Sequence, residues 1–140
     1  MKILYEAQAT AIGGRTGSAA SADGMLRVAL TMPRALGGSG GIGINPEQLF
    51  ATAYAACFLS AIRSAAGRHN TPIANDSNVT ATVGIGHRDN GEGFGLAVGI
   101  SVDLPGVEPA VADTIVAEAH RNCPYSNALR GNIEVALTIA

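Results

Sequence analysis

The segment from Leu49 to Ile62 carries no charged side chain and is apolar on every face of a helix. No other feature constrains the fold as much, because such a helix has no solvent face and must be surrounded. Asn45, Pro46 and Gln48 stand where an N-cap, N1 and N3 residue belong, close to a capping box, with Ile44 and Leu49 placed as a hydrophobic staple. The apolar run is too short for a bilayer and is closed by Arg63. Protein is therefore expected around it. Only 14% of the residues are charged, against roughly 25% in typical soluble proteins, while 47% are hydrophobic. A surface so poor in charge is expected to be covered in part by a second subunit. With 4% aromatics and no Trp, the core must come from small and branched aliphatics.

Around this helix the pattern is one of strands. Residues 3 to 11 alternate, with Ile3, Tyr5, Ala7, Ala9 and Ala11 on one face. Gly13 to Gly17 is a turn, and Asp23-Gly24 is a hairpin signal before an alternating run over 26–32. Val79 to Ile85 and Phe94 to Leu104 alternate on either side of the turn-rich Asp89 to Gly93, which predicts a hairpin. A last strand holds Ile133, Val135, Leu137 and Ile139. A second helix runs from about Pro109 to Asn122, and Pro124 stops it. The order βββ-α-ββ-α-β lacks regular βαβ alternation, so the class is α+β with a mainly antiparallel sheet and a buried central helix. A chain of 140 residues without repeat or linker is expected to form a single domain, 1–140.

Several functions are disfavoured by the residues present. A net charge of −2 argues against nucleic acid, which requires a basic stripe. The N-terminus meets Glu6 before any signal-like apolar run, so a soluble, cytoplasmic protein without a membrane partner is expected. Gly38-Ser39-Gly40-Gly41-Ile42-Gly43 formally matches G-x-G-x-x-G. No acid follows between Glu47 and Asp76, and no Lys-Ser/Thr follows, so nucleotide binding is not expected. His120 precedes Cys123 at a metal-like spacing but has no further ligands, and His69 and His87 lie in loop-like segments. No metal and no cofactor are expected.

Two cysteines are too few for a secreted disulfide framework, and thiols of this kind are ordinarily inert core residues. Cys57 sits in mid-helix, where burial raises a thiol pKa and the helix dipole gives little help. Reactivity there requires a cation from elsewhere, with Arg15 of the glycine turn and Arg63 of the same helix as candidates. Cys123 ends the second helix, where partial negative charge disfavours a thiolate. It suits a resolving role, condensing as a thiol with an oxidised partner.

Gly13-Gly14-Arg15-Thr16-Gly17, the glycine run into Asn45-Pro46-Glu47-Gln48-Leu49-Phe50, Ala55-Ala56-Cys57-Phe58, and Cys123-Pro124-Tyr125-Ser126-Asn127 followed by Arg130-Gly131-Asn132 resemble the organic hydroperoxide resistance (Ohr) proteins of the Ohr/OsmC superfamily. The resemblance covers essentially the whole chain in order. It departs at Ile44, where a small polar residue such as Thr is expected. It implies an OsmC-like fold, an intertwined homodimer with active sites at the subunit interface, and a thiol peroxidase that reduces organic hydroperoxides to alcohols. By matching position Cys57 is the peroxidatic cysteine, Cys123 the resolving one, and Arg15 with Glu47 the pair that activates the thiolate and polarises the peroxide. The expected reductant is a dithiol of the lipoyl type, such as a lipoylated protein.

The residues make this chemistry sensible. A disulfide with Cys123 protects oxidised Cys57 from further oxidation. Phe50, Tyr54, Phe58 and Tyr125 are candidates for an apolar wall favouring alkyl peroxides. Glu47 precedes Cys57 by ten residues, about 15 Å along a helix. Either Arg15 bridges that gap or Glu47 comes from the partner subunit, and the partner is favoured. Two other readings are an OsmC-type peroxidase with a broader substrate range and a non-catalytic binding module with structural thiols.

Overall fold

Alternation makes a segment extended, but only a neighbour makes it a strand. In the computed structural model, which describes residues 1–140, the chain divides into two units, Met1–Leu49 and Phe50–Ala140. In the first, β1 (Ala9–Ile12), β2 (Ser18–Ser21) and β3 (Arg27–Ala29) form an antiparallel sheet in that order. β2 runs out at Ser21, opposite Ala9. The expected strand over 3–11 is therefore paired only from Ala9, and Ile3, Leu4 and Tyr5 lie exposed outside it. The expected run over 26–32 shortens for a similar reason. Past Ala29 the chain leaves β2, and Leu30 bridges in parallel to Ile44.

The Asp23-Gly24 turn forms as its sequence predicts. Gly24 has φ +72°, and Asp23 Oδ1 accepts from the Met25 N–H at 3.0 Å. The glycine run from Gly38 to Gly43 serves backbone packing: a Cβ on Gly38 would lie 2.0 Å from the Met32 carbonyl oxygen. The capping box ahead of the long helix is reciprocal. Asn45 Oδ1 accepts from the Gln48 N–H and Gln48 Oε1 from the Asn45 N–H, each at 2.9 Å.

That helix, α1, spans Pro46–Arg68, 23 residues, well past Ile62. It is thus longer than the apolar run suggests, and by length and composition alone it could cross a bilayer. One stripe of it, Tyr54, Phe58, Ile62, Ala65 and Ala66, is buried. Thr52, Ala56, Ser60, Arg63 and Ser64 are exposed. Burial on all sides is therefore not achieved within one chain, because the chain packs only one face of the helix.

In the second unit β4 (Asn78–His87) and β5 (Phe94–Asp103) pair antiparallel along their whole length, from Asn78↔Asp103 to His87↔Phe94. This is the hairpin predicted around Asp89 to Gly93. β6 (Val135–Ile139) pairs in parallel with the other edge of β5. Its crossover consists of α2 (Pro109–Asn122) and a further helix, α3 (Pro124–Leu129). α3 was not expected. Pro124 stops α2 because it lacks an N–H, and the same property suits it to be the first residue of the next helix, behind an extended Cys123 at φ −62°, ψ 124°. The core joins the buried stripe of α1 to Val98, Ile100 and Val102 of β5 and Ile115, Val116 and Ala119 of α2. The class is α+β, and small and branched aliphatics together fill most of this core, as the composition required.

Candidate active site

The two cysteines come together. Cys57 lies half-buried on α1, one residue before the core residue Phe58, while Cys123 is fully buried at the junction of α2 and α3. Their Sγ atoms are 3.8 Å apart and both are free thiols. A disulfide needs sulfurs about 2.05 Å apart, so a small side-chain movement suffices to form one.

Burial pushes the Cys57 thiol above its ordinary value, the neighbouring Cys123 sulfur adds to this, and the Tyr125 backbone N–H at the start of α3 acts weakly against both. Within Phe50–Ala140 no cation offsets the burial. Arg63 donates through Nη2 to the Ala74 carbonyl oxygen at 3.4 Å.

In the first unit, Arg15 and Glu47 make a bidentate pair. Arg15 Nη1 donates to Glu47 Oε2 at 2.8 Å and Nη2 to Oε1 at 2.6 Å. The guanidinium holds the Glu47 carboxyl below the usual carboxylate range, and the carboxylate in turn raises Arg15. The pair is preformed by local structure. Arg15 sits in a 3-10 turn, Gly14–Thr16, entered through Gly13 at φ +76° and closed by Gly17, where a Cβ would lie 1.8 Å from the Ile12 carbonyl oxygen. Glu47 stands in the first turn of α1, where the dipole favours its charge. Arg15 is therefore held by a charged partner, with a third of its side chain left exposed.

Phe50, Tyr54, Phe58 and Tyr125 form one aromatic cluster, with centroid separations of 5.8 Å for Tyr54–Tyr125 and 6.1 Å for Phe50–Tyr125. Tyr54 and Phe58 have no exposed surface and belong to the core, whereas Phe50 and Tyr125 are half-buried. The cavity that opens at Cys57, about 520 Å³, is lined by Ser60, Ala61, Ser64, Arg68, Asn122 and Pro124. No aromatic of the cluster lines it. Arg68 there is bound to Glu118 at 2.6 Å, and His69 holds the other carboxylate oxygen at 2.7 Å.

Sequence reasoning did not single out Ser126 and treated His120 only as a metal ligand. In the fold Ser126 Oγ lies 2.8 Å from the Tyr54 hydroxyl and 2.9 Å from His120 Nδ1. Spacing could have found them: Tyr54 precedes Cys57 by three residues, and His120 and Ser126 flank Cys123 by three on either side. No three His, Cys, Asp or Glu side chains converge as a metal site would require.

Comparison with known proteins gives a consistent result. Residues 37–138 match the family described as OsmC-like protein. The chain is 48% identical over 139 residues to an organic hydroperoxide resistance protein of Xanthomonas axonopodis pv. citri (strain 306), covering 99% of this chain and 96% of that protein. Its fold superposes on the crystal structure of an organic hydroperoxide resistance protein from Legionella pneumophila with a TM-score of 0.92 at 45% identity, over 99% of each chain. With OhrB of Bacillus subtilis the TM-score is 0.90 at 39% identity, over 99% of this chain and 100% of the other.

Proposed function

The chain belongs to the organic hydroperoxide resistance branch of the OsmC-like family, and from that premise we propose that it is a thiol peroxidase acting on organic hydroperoxides. The observation that carries this reading is the approach of Cys57 Sγ to Cys123 Sγ, 3.8 Å, one half-buried and the other inaccessible. The Cys57 thiolate attacks the distal oxygen of ROOH. The O–O bond breaks, RO⁻ takes a proton and leaves as alcohol, and the sulfur becomes sulfenic acid. Cys123 then forms the S–S bond as hydroxide leaves the Cys57 sulfur and departs as water. An external dithiol of the lipoyl type restores both thiols and is itself oxidised to a disulfide.

Arg15 supplies the cation that Cys57 lacks, lowering the thiol pKa and hydrogen-bonding the peroxide, and Glu47 fixes the guanidinium plane. The working unit is a homodimer in the cytoplasm. Exposed Ile3, Leu4, Tyr5, Ile12, Met25 and Leu26, together with the uncovered faces of α1, favour a second copy as cover. Since the Arg15–Glu47 pair forms within one chain, it is delivered as a unit, and we assign it to the Cys57 of the partner.

Stopped-flow oxidation tests the reading. Reduced protein is mixed with t-butyl hydroperoxide, cumene hydroperoxide or hydrogen peroxide. The alkyl peroxides are expected to react faster. Cys57→Ser abolishes consumption, while Cys123→Ser consumes about one equivalent and stalls as sulfenic or more oxidised sulfur. Turnover by Cys57→Ser would overturn the assignment. Oxidised wild type is expected to show the Cys57–Cys123 disulfide within one chain by mass spectrometry.

A further inference from the structure

Cys123 sits at an elbow between two helices, where the continuous backbone bonding of a helix is interrupted. α2 ends at Asn122, α3 begins at Pro124, and Cys123 between them is extended. Pro124 has no N–H, so the His120 carbonyl oxygen, four residues back, receives no helical bond from it. Arg130 fills that place, its Nη2 donating to the His120 carbonyl oxygen at 2.8 Å. Cys123 itself is bonded to both sides of the elbow. Its N–H donates to the Ala119 carbonyl oxygen at 2.8 Å, and its carbonyl oxygen accepts from the Asn127 N–H at 2.9 Å. Cys123 therefore moves with the last turn of α2 and the first turn of α3.

Those two turns are tied by side chains, and one tie reaches the helix that carries Cys57. Ser126 Oγ, in the first turn of α3, lies 2.9 Å from His120 Nδ1 in the last turn of α2 and 2.8 Å from the Tyr54 hydroxyl of α1. Ser126 can accept from Tyr54 while donating to the imidazole nitrogen, so one hydroxyl joins three helices. Tyr54 is 0% and Ser126 1% exposed, so water does not compete for their contact. Tyr54 stands three residues before Cys57, on the same side of α1, and Ser126 three residues after Cys123. The oxygen–oxygen contact and the sulfur–sulfur approach of 3.8 Å thus span the same two segments of the chain. The Tyr125 ring adds an apolar contact to the polar one, packing edge-on against Tyr54 at 5.8 Å.

We propose that the Tyr54–Ser126 hydrogen bond is a brace that holds Cys123 at attacking distance from Cys57, which makes Tyr54 and Ser126 positioning residues for disulfide closure. The inference rests on the thiol-peroxidase reading and concerns only its second step. In that step the S–S bond forms, the Cys57 S–O bond breaks, and the hydroxide released combines with the Cys123 proton as water. Tyr54 and Ser126 exchange no proton with either sulfur. They act on the effective concentration of one sulfur at the other, which enters the rate of closure and the stability of the disulfide alike. Attack of Cys57 on the peroxide does not use Cys123, so the first step is left alone.

Tyr54→Phe and Ser126→Ala, singly and together, test the brace. Each reduced protein is mixed with one equivalent of t-butyl hydroperoxide. Peroxide loss and disulfide formation are followed separately, with dimedone trapping the sulfenic acid. Disulfide stability is read by equilibration with reduced and oxidised dithiothreitol. Each single variant is expected to consume peroxide at the wild-type rate and to close the disulfide about ten-fold more slowly. Its disulfide is expected to be about ten-fold less stable, a potential about 30 mV less negative. The double variant separates positioning from mere stability. Ser126→Ala orphans the buried Tyr54 hydroxyl, and adding Tyr54→Phe removes that hydroxyl. The double variant is therefore expected to be more stable in urea than Ser126→Ala, yet to close at the same reduced rate, because both substitutions break one contact. An unchanged closure rate or potential in either single variant, equal slowing of both steps, or losses that multiply in the double variant overturns the brace. So does closure that recovers along with stability. A wild type that consumes no hydroperoxide overturns the peroxidase reading, and the potentials, which need no peroxide, still decide the brace between the two sulfurs.

Discussion

Arg15 and Glu47 are legible in the sequence as words of a motif, but their physics appears only when the glycine turn folds. Gly17 admits no Cβ beside the Ile12 carbonyl oxygen, and this close turn presents the guanidinium to Glu47. If Arg15 acts on the sulfur and on the peroxide oxygens, which every substrate shares, Arg15→Ala is expected to slow all peroxides alike, by about a hundred-fold. A matrix of second-order rate constants checks it, and a loss confined to bulky substrates would contradict the role. The same pair makes a pH prediction. Glu47 titrates below its unfolded value of about 4.3. Its stabilisation is therefore complete above that pH and lost as pH falls through the lower folded value. Glu47→Gln is expected to cost about 1–2 kcal/mol by urea denaturation at neutral pH, with the difference vanishing in strong acid. Arg15 remains 33% exposed, so solvent screening favours the lower figure.

Among the elements, the sequence was clearest where the chain supplies its own partner. The β4–β5 hairpin and the reciprocal Asn45–Gln48 cap involve near neighbours, and both formed where the residues indicated. Strand ends were less legible, because β1 stops where β2 stops and no alternation in residues 3 to 11 records that. α3 was hidden because Pro124 both ends one helix and begins another. The aromatic residues show a subtler limit. Tyr54, Phe58 and Cys57 share a helix, and periodicity alone does not say which of them meets solvent. Phe58 proves to be core, so Phe58→Ala is expected to cost about 3–5 kcal/mol of stability rather than to alter selectivity. Half-buried Phe50 and Tyr125, the latter two residues after Cys123, remain the candidates for the wall. Tyr125→Ser is expected to slow cumene hydroperoxide more than hydrogen peroxide, and equal losses would place selectivity elsewhere.

At the scale of the whole molecule, the residues assigned to the proposed chemistry fall in two units of the chain. The cation and its carboxylate lie in Met1–Leu49, and the thiols and the polar chain in Phe50–Ala140. Low charge content and an all-apolar helix pointed to a second copy, and one chain leaves much of that helix and several large apolar side chains uncovered. A dimer is expected at micromolar concentration by analytical ultracentrifugation, and a monomer there would refute it. Complementation tests the delivery of the cation more sharply. Cys57→Ser and Arg15→Ala are each expected to be nearly inactive. When they are unfolded together and refolded, random pairing leaves half of the dimers mixed. If Arg15 serves the Cys57 of its partner, one of the two sites in each mixed dimer holds both groups intact, and about a quarter of wild-type activity returns. If Arg15 serves the Cys57 of its own chain, every site in every mixed dimer lacks one group and nothing returns. Recovery near a quarter therefore assigns the cation to the partner, and its absence in a mixture shown by mass spectrometry to contain mixed dimers assigns it to the same chain.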